Sequence, residues 1–432
     1  MNADTMNWSA AESEALSADA RDPLHALRDE FLIPRHRDGS DQVYLCGNSL
    51  GLQPRAVRQA LIDELDDWQN FGVEAHFRGK HPWMPYHEFV REDLAAVVGA
   101  LPHEVVAMNS LTVNLHLMMV SFYRPTPERH AILIEKAAFP SDHHAVESQI
   151  RFHGYDPAVA KIELDGDEAN GTISPDAILR AIDEHGERIA LVMLPGVQYL
   201  SGQAFDLAAI TAAAHAKGCV VGFDLAHAAG NLLLDLHDVG CDFAVWCSYK
   251  YLNSGPGAVA GCFVHERHAR AQLPRLAGWW GHDPASRFQM AAQFTPAAGA
   301  DGWQLSNPPI LALAPLRISL GLFRRAGMAA LRTKSQALTA YLETLIRREL
   351  ADVLDIATPS EPARRGCQLS LRVRGPREAG RALYDHLLEH GIVVDWREPD
   401  VIRAAPTPLY NRRMDCLRLV AAVKAWAGTR NT

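Results

Sequence analysis

Little in the chain marks it for export, membrane insertion or nucleic-acid binding. Its seven cysteines are an odd number with no Cys-x-x-Cys pair, which argues against both a disulfide framework and a structural zinc site. Cys219, Cys241, Cys247 and Cys262 lie in or beside apolar runs and read as small buried hydrophobes. No uninterrupted apolar run approaches the roughly 20 residues of a membrane-spanning helix. Even IALVMLPGVQYL is broken by Pro195 and Gly196. The opening MNADTMNWSAAESEALSADARDPL lacks the basic start and apolar core of a signal peptide, so a cytoplasmic location and no membrane partner are expected. Lys and Arg total 42 against 51 Asp and Glu, and a formal net charge of −9 gives no basic field for nucleic acid. Internal repeats and low-complexity linkers are absent. The run SGPGAVAG has neither the Rossmann nor the P-loop spacing and precedes a strand, which leaves nucleotide binding weakly supported.

What is present is an ordinary soluble composition, 48% hydrophobic and 22% charged, over 432 residues. That length suggests two or three domains. Short apolar runs rich in β-branched residues alternate with helical patterns: AILIE (131–135), IALVML (189–194), CVVGFD (219–224), FAVWC (243–247) and AGCFVH (260–265). Continuous apolar strands of this kind belong to a buried, mostly parallel sheet. Between two of them, DLAAITAAAHAKG supplies Asp206 as N-cap and Gly218 as the stop, which marks one βαβ crossover at both ends. From about residue 311 the pattern changes to long helices and then short strands near 367–373 and 391–396. The expected organisation is an N-terminal arm (1–60) contributing to a small domain, a large α/β domain (61–310), and a smaller α+β domain (311–432).

Two of the apolar runs lead to chemistry. Asp224 ends CVVGFD, and Lys250 follows FAVWC in FAVWCSYKYLNSGPG. In an open α/β sheet, residues at strand carboxyl ends converge in one crevice even when distant in sequence. A lysine amine there can form a Schiff base with the aldehyde of pyridoxal 5′-phosphate, and an aspartate can keep the pyridine nitrogen protonated. Taken alone, Asp224 serves equally as a helix cap and Lys250 as a solvated strand-end residue. The neighbours favour the cofactor: His227 follows the aspartate closely, and Asn253, Ser254, Gly255, Pro256 and Gly257 form a loop after the lysine that permits tight turns.

Read together, YLCGNSLG (44–51), MNSLTVNLHLMM (108–119), FPSDHHAVESQI (139–150), GVQYLSGQ (196–203), GWWGH (278–282), SNPPI (306–310) and IRAAPTPLYN (402–411) resemble the kynureninase family. Their joint order, together with the Asp224 and Lys250 segments, makes the resemblance specific over most of the chain. It implies the aminotransferase-like fold of type I pyridoxal-phosphate enzymes. It also implies hydrolysis of kynurenine or 3-hydroxykynurenine to an anthranilate and alanine, and a homodimer whose sites draw on both subunits.

Carried over by position, the resemblance makes Lys250 the Schiff-base lysine and Asp224 the partner of the ring nitrogen. Asp142 supports that end of the ring, Phe139 stacks on its face, and Pro140 and Ser141 lie beside it. Phosphate contacts fall on Leu111, Thr112, Ser201, His227, Tyr249, Trp279 and Asn307. Arg403 grips the substrate α-carboxylate, a task for a planar guanidinium. His76, Ser306 and Asn307 face the substrate ring, and the pairing of His76 with Asn307 resembles members that favour the 3-hydroxylated substrate. Tyr249, able to donate and accept, is the candidate for proton traffic near the phosphate, with Lys250 as the main base.

Asp224 and Lys250 are common to other enzymes of this fold, so a cysteine desulfurase and an aminotransferase stay open as alternatives. A desulfurase needs a nucleophilic cysteine on a mobile loop, and Cys367 after Arg364, Arg365 and Gly366 is the nearest candidate. A catalytically idle scaffold is a third reading. No metal is expected.

Overall fold

The computed structural model describes residues 6–167, 170–290 and 292–429. Residues 1–5 of the expected arm and 430–432 of the expected C-terminal domain therefore lie outside the described residues. A seven-stranded sheet holds the middle of the chain: β1 (Val105–Ala107), β2 (Ala131–Glu135), β3 (Lys161–Leu164), β4 (Ile189–Pro195), β5 (Val220–Asp224), β6 (Phe243–Trp246) and β7 (Gly261–Val264). The spatial order is β1-β7-β6-β5-β4-β2-β3. Strands β2 to β6 run parallel, and β7 is antiparallel to both β6 and β1. The α/β class with a mixed, mostly parallel sheet is therefore as the sequence implied. Burial explains the apolar runs: every residue of β2, β6 and β7 is buried, as in sheets covered by helices on both faces.

The strand order places the crevice. After β2 the chain crosses outward to β3, whereas after β4 it crosses the other way to β5. The carboxyl ends of β2 and β4 therefore flank a point where the winding reverses, the place where open α/β sheets collect ligands. Asp224 closes β5 in register with Pro195 of β4 and Val245 of β6.

A second, antiparallel sheet is built from β8 (Leu354–Ile356), β9 (Leu369–Val373), β10 (Asp395–Arg397) and β11 (Val401–Ala404), in the order β8-β9-β11-β10. Its own core includes Leu342, Ile346, Leu369, Ile402 and Val420, joined by Ala15, Val43 and Leu45 from the N-terminal region. Leu27, Phe31 and Leu52 pack instead with the large sheet, so the arm is shared between two cores.

The helix Ile310–Ala326 requires a correction to the expected break at 311. Its apolar face, with Leu313, Leu316, Leu320 and Phe323, belongs to the large-sheet core. The second core begins with Leu338 on the next helix, Met328–Glu349. Helical periodicity shows that a stripe is buried but not against which sheet. Among the described residues no helix is long and apolar enough to cross a membrane.

Candidate active site

A cavity opens at the reversal point, lined by Glu135, Phe139, Ser141, Asp142, Tyr199, Asp224, His227, Tyr249 and Lys250 together with Leu111, Thr112 and Ala226. The sequence placed most of these residues in one site. Each is delivered by a strand end or a helix start. Asp224 ends β5, and its Oδ1 accepts the Ala226 N–H at 2.7 Å, which fixes the carboxylate at the turn. Lys250 follows β6 through a turn closed by Ser254 N–H donating to the Ser248 carbonyl at 3.0 Å. Asn253 adopts a left-handed φ of 52° there, a conformation that asparagine tolerates.

Helix starts form the opposite wall. The helices Leu111–Phe122 and Pro140–Phe152 both begin without a side-chain cap, so their first N–H groups are not satisfied by a capping side chain. Leu111, Thr112, Ser141 and Asp142 bring both N-termini to the cavity, and Thr112 Oγ1 lies 2.9 Å from Ser141 Oγ. Two converging helix N-termini with adjacent hydroxyls form an anion site of the kind that holds phosphates.

The acidic residues form an electrostatic set. Burial raises the Asp142 carboxyl well above its ordinary range, and the neighbouring Asp224 charge and their mutual hydrogen bond raise it further. Asp224 is also raised by burial, but the Ala226 N–H and the Lys250 charge oppose the rise. Of the pair, Asp142 is therefore the carboxyl that holds its proton more readily and Asp224 the one more readily ionised. Glu135, at the end of β2, is pushed up to about 8 by burial and its Oε2 has no hydrogen-bond partner. His227 is driven well below its usual value by burial and then by the Lys250 charge. Its ring is therefore neutral, with Nε2 accepting from the Lys250 ammonium at 3.0 Å and Nδ1 left without a partner.

Phe139 is half-exposed at the mouth, edge-on to Tyr199 with ring centroids 5.3 Å apart. Ser201 is buried, its hydroxyl donating to Gln198 Oε1 at 3.1 Å and accepting from the Gln203 N–H, so that within one chain it is not on the cavity wall. His227, expected at the phosphate, lines the cavity and meets the lysine amine through Nε2. Trp279 lies on a separate surface hollow with His282, Arg287 and Phe294, and its Nε1 donates to the Arg287 carbonyl. Ser306 and Asn307 are exposed, and His76 packs on Trp83 with Nδ1 at 3.0 Å from the Val73 carbonyl. None of these four lines the Lys250 cavity. Sequence reasoning missed Glu135 and Tyr199. Glu135 ends its apolar run just as Asp224 does, so the same rule finds it.

Comparison with known proteins bears on the chemistry. The kynureninase of Stenotrophomonas maltophilia strain K279a is 66% identical over 419 residues, covering 97% of this chain and 99% of that protein. The chain belongs to the kynureninase family. A second kynureninase, from Xanthomonas euvesicatoria pv. vesicatoria strain 85-10, is 64% identical over 96% of this chain and 98% of its own length. Residues 331–423 match the kynureninase C-terminal domain, and 82–242 match the DegT/DnrJ/EryC1/StrS aminotransferase family. Among solved structures, a cysteine desulfurase from Escherichia coli superimposes with a TM-score of 0.75 at 18% identity, covering 94% of this chain and 98% of that one. A cysteine desulfurase from Thermococcus onnurineus NA1 gives 0.74 at 15%, covering 90% and 95%. At such identity the likeness is one of fold.

The cysteines separate the chain from those fold neighbours. Cys367 is buried and its thiol is pushed up to about 12 by burial, which makes it a poor nucleophile. Cys46, the one cysteine not fully buried, is likewise pushed up to about 12. The family's cofactor, pyridoxal 5′-phosphate, fits the cavity. Unpartnered buried atoms on Asp142 and His227, two uncapped helix starts, one amine and one anionic carboxylate together match a ring with a phosphate, an aldehyde and a basic nitrogen.

The motif YLCGNSLG touches this site through its last glycine. Gly51 N–H donates to the Tyr249 carbonyl at 2.8 Å, and a Cβ at Gly51 would collide with the Lys250 carbonyl oxygen and with Asn253. Gly51→Ala should therefore displace the lysine loop, lowering kcat/KM by about tenfold or more while costing ~1–3 kcal/mol of stability. Steady-state kinetics and thermal melting check this together.

Proposed function

We propose that the chain is a pyridoxal-phosphate-dependent hydrolase that cleaves the β–γ carbon bond of kynurenine or 3-hydroxykynurenine, releasing an anthranilate and alanine. The observation that carries this reading is the meeting of the Lys250 amine, the Asp224 carboxylate and two open helix N-termini in one cavity, in a chain of this family. When bound, pyridoxal phosphate supplies a conjugated electron sink for the substrate amino acid. The protein's part is to hold groups and move protons.

Lys250 would hold the cofactor and then shuttle a proton at the substrate α-carbon. Its neighbour His227, neutral and accepting, orients the amine. Asp224 would keep a proton on the ring nitrogen, backed by Asp142. Phe139 would cover one ring face, which selects the bond held perpendicular to the ring. The N–H groups at Leu111 and Thr112 would take the phosphate, joined by Tyr249. Arg403 would bind the α-carboxylate.

Trp279, Ser306, Asn307 and His76 support a homodimer in which a second copy completes the site, because they lie off the Lys250 cavity while being exposed or half-buried. In that arrangement His76 and Asn307 face the substrate ring and favour the 3-hydroxylated substrate.

Purified protein incubated with kynurenine, 3-hydroxykynurenine and cysteine tests the reading. Anthranilate and alanine in equal amounts are expected, with the 3-hydroxy substrate the better one. Sulfide from cysteine, or a keto acid from any amino acid as the main product, would overturn it. Mixing Lys250→Ala protein with Asn307→Ala protein under conditions of subunit exchange should recover activity that neither has alone.

A further inference from the structure

Arg403 on β11 is fully buried, and its Nη1 donates at 2.7 Å to the carbonyl of Tyr199, a residue of the Lys250 cavity wall. On its other edge Nε donates to Asp395 Oδ2 at 2.7 Å, and Nη2 makes an ion pair with the same oxygen. A guanidinium carries five N–H bonds. Two make hydrogen bonds, and Nη2, although ion-paired with Asp395, has no hydrogen-bond partner among the described residues. The N–H groups left over on Nη1 and Nη2 suit a second carboxylate.

Asp395 also serves a second arginine. Arg397 Nε donates to Asp395 Oδ2 at 2.9 Å, so one carboxylate stands between two guanidinium groups. The cluster therefore carries one net positive charge. Cys46 beside it stays neutral, its thiol raised by burial and next by the Asp395 charge.

We propose that Asp395 is a positioning residue for substrate recognition. By holding the edge of Arg403 formed by Nε and Nη2 it aims the remaining donors at the α-carboxylate of the bound amino acid. By sharing its charge with Arg397 it leaves an excess of one positive charge, which a single substrate carboxylate neutralises. The proposal rests on the reading of Arg403 as the carboxylate ligand.

Charge and position give opposite signs here, which makes the proposal testable. Removing an anion from beside Arg403 should tighten carboxylate binding if only charge matters. If position matters, binding should weaken. For Asp395→Ala holoenzyme, which loses the accepting oxygen as well as the charge, we expect KM for kynurenine to rise roughly ten- to hundredfold with kcat changed by no more than about threefold. The dissociation constant of L-alanine, read from the cofactor absorbance, should rise in parallel, while that of ethylamine, which lacks the carboxylate, stays unchanged.

Unchanged or tighter alanine binding in Asp395→Ala would overturn the proposal, as would equal weakening of ethylamine. Arg397→Ala leaves the buried Arg403–Asp395 pair whole and reads the charge half separately. It should weaken alanine several-fold and spare ethylamine, and no change in alanine binding would reject that half. Arg403→Ala separates the two levels. If it leaves alanine binding intact, the carboxylate-ligand reading has failed. If it weakens alanine while Asp395→Ala does not, the role of Asp395 alone has failed.

Discussion

Lys250→Ala should abolish turnover of kynurenine, by roughly 10⁴-fold or more, as loss of a covalent catalytic group does in other enzymes. The expectation comes from the absence of a substitute. Among the residues lining the cavity Lys250 is the only amine, and the nearest other nitrogen base, the His227 ring, is neutral and already directed at the lysine. A histidine in that position cannot form a stable imine with an aldehyde, so both attachment of the cofactor and proton transfer at the α-carbon are lost together.

The helix N-termini that would take the phosphate do not involve Lys250, so the variant should still bind pyridoxal phosphate non-covalently. Its visible absorbance should be that of the free aldehyde, and borohydride should no longer fix the cofactor to the chain. A variant that keeps the lysine-bound spectrum or turns over at more than a trace would show that another amine does the chemistry. Added alkylamines restoring part of the activity would support the proton-transfer role apart from attachment.

How far these residues could be seen in the sequence depended on whether each one's role is local. AILIE, IALVML, CVVGFD, FAVWC and AGCFVH became strands β2, β4, β5, β6 and β7 almost residue for residue, because a strand buried on both faces has to be apolar throughout. The helix Leu207–Ala216 follows its Asp206 cap, whose Oδ1 accepts the Ala209 N–H at 3.0 Å. Strand β3, Lys161–Leu164, escaped notice because it is at the sheet edge and only partly buried, so it carries no continuous apolar run. β1, Val105–Ala107, is only three residues long.

The same distinction applies to the site. Asp224 and Lys250 are marked by polar chemistry at the end of an apolar run, which one chain displays. Trp279, Ser306 and Asn307 have no such mark. Their surroundings in one chain are solvent or a surface hollow, and only the family resemblance nominated them. The pairing of Asp395 with Arg403 is also absent from any linear pattern. It arises where neighbouring antiparallel strands β10 and β11 place the two residues opposite each other in register.

Asp224→Asn should bind cofactor yet lose most activity, and the substitution isolates charge from shape. The amide oxygen of asparagine can still accept the Ala226 N–H, so the turn after β5 is preserved. What disappears is the anion. Burial raises the pKa values of both Asp142 and Asp224, Asp142 further, so in the native protein Asp224 is the member of the pair more readily ionised. Against a basic ring nitrogen that anion stabilises the protonated ring, the form that withdraws electrons from the substrate. Removing one partner of a buried ion pair costs ~3–5 kcal/mol, which at about 1.4 kcal/mol per decade is a loss of roughly 10²- to 10⁴-fold in kcat. Asp142 would not replace the anion cheaply, because it would have to ionise in a buried site, although loss of the neighbouring charge lowers its pKa. The residual activity should accordingly depend on pH in a direction opposite to that of a base-limited enzyme. Beside the Asp224 carboxylate the ring nitrogen would stay protonated across the neutral range, whereas in Asp224→Asn it would lose its proton as pH rises, so kcat should fall from pH 6 to pH 8. A flat profile at near-native kcat would mean that the ring nitrogen does not need the charge.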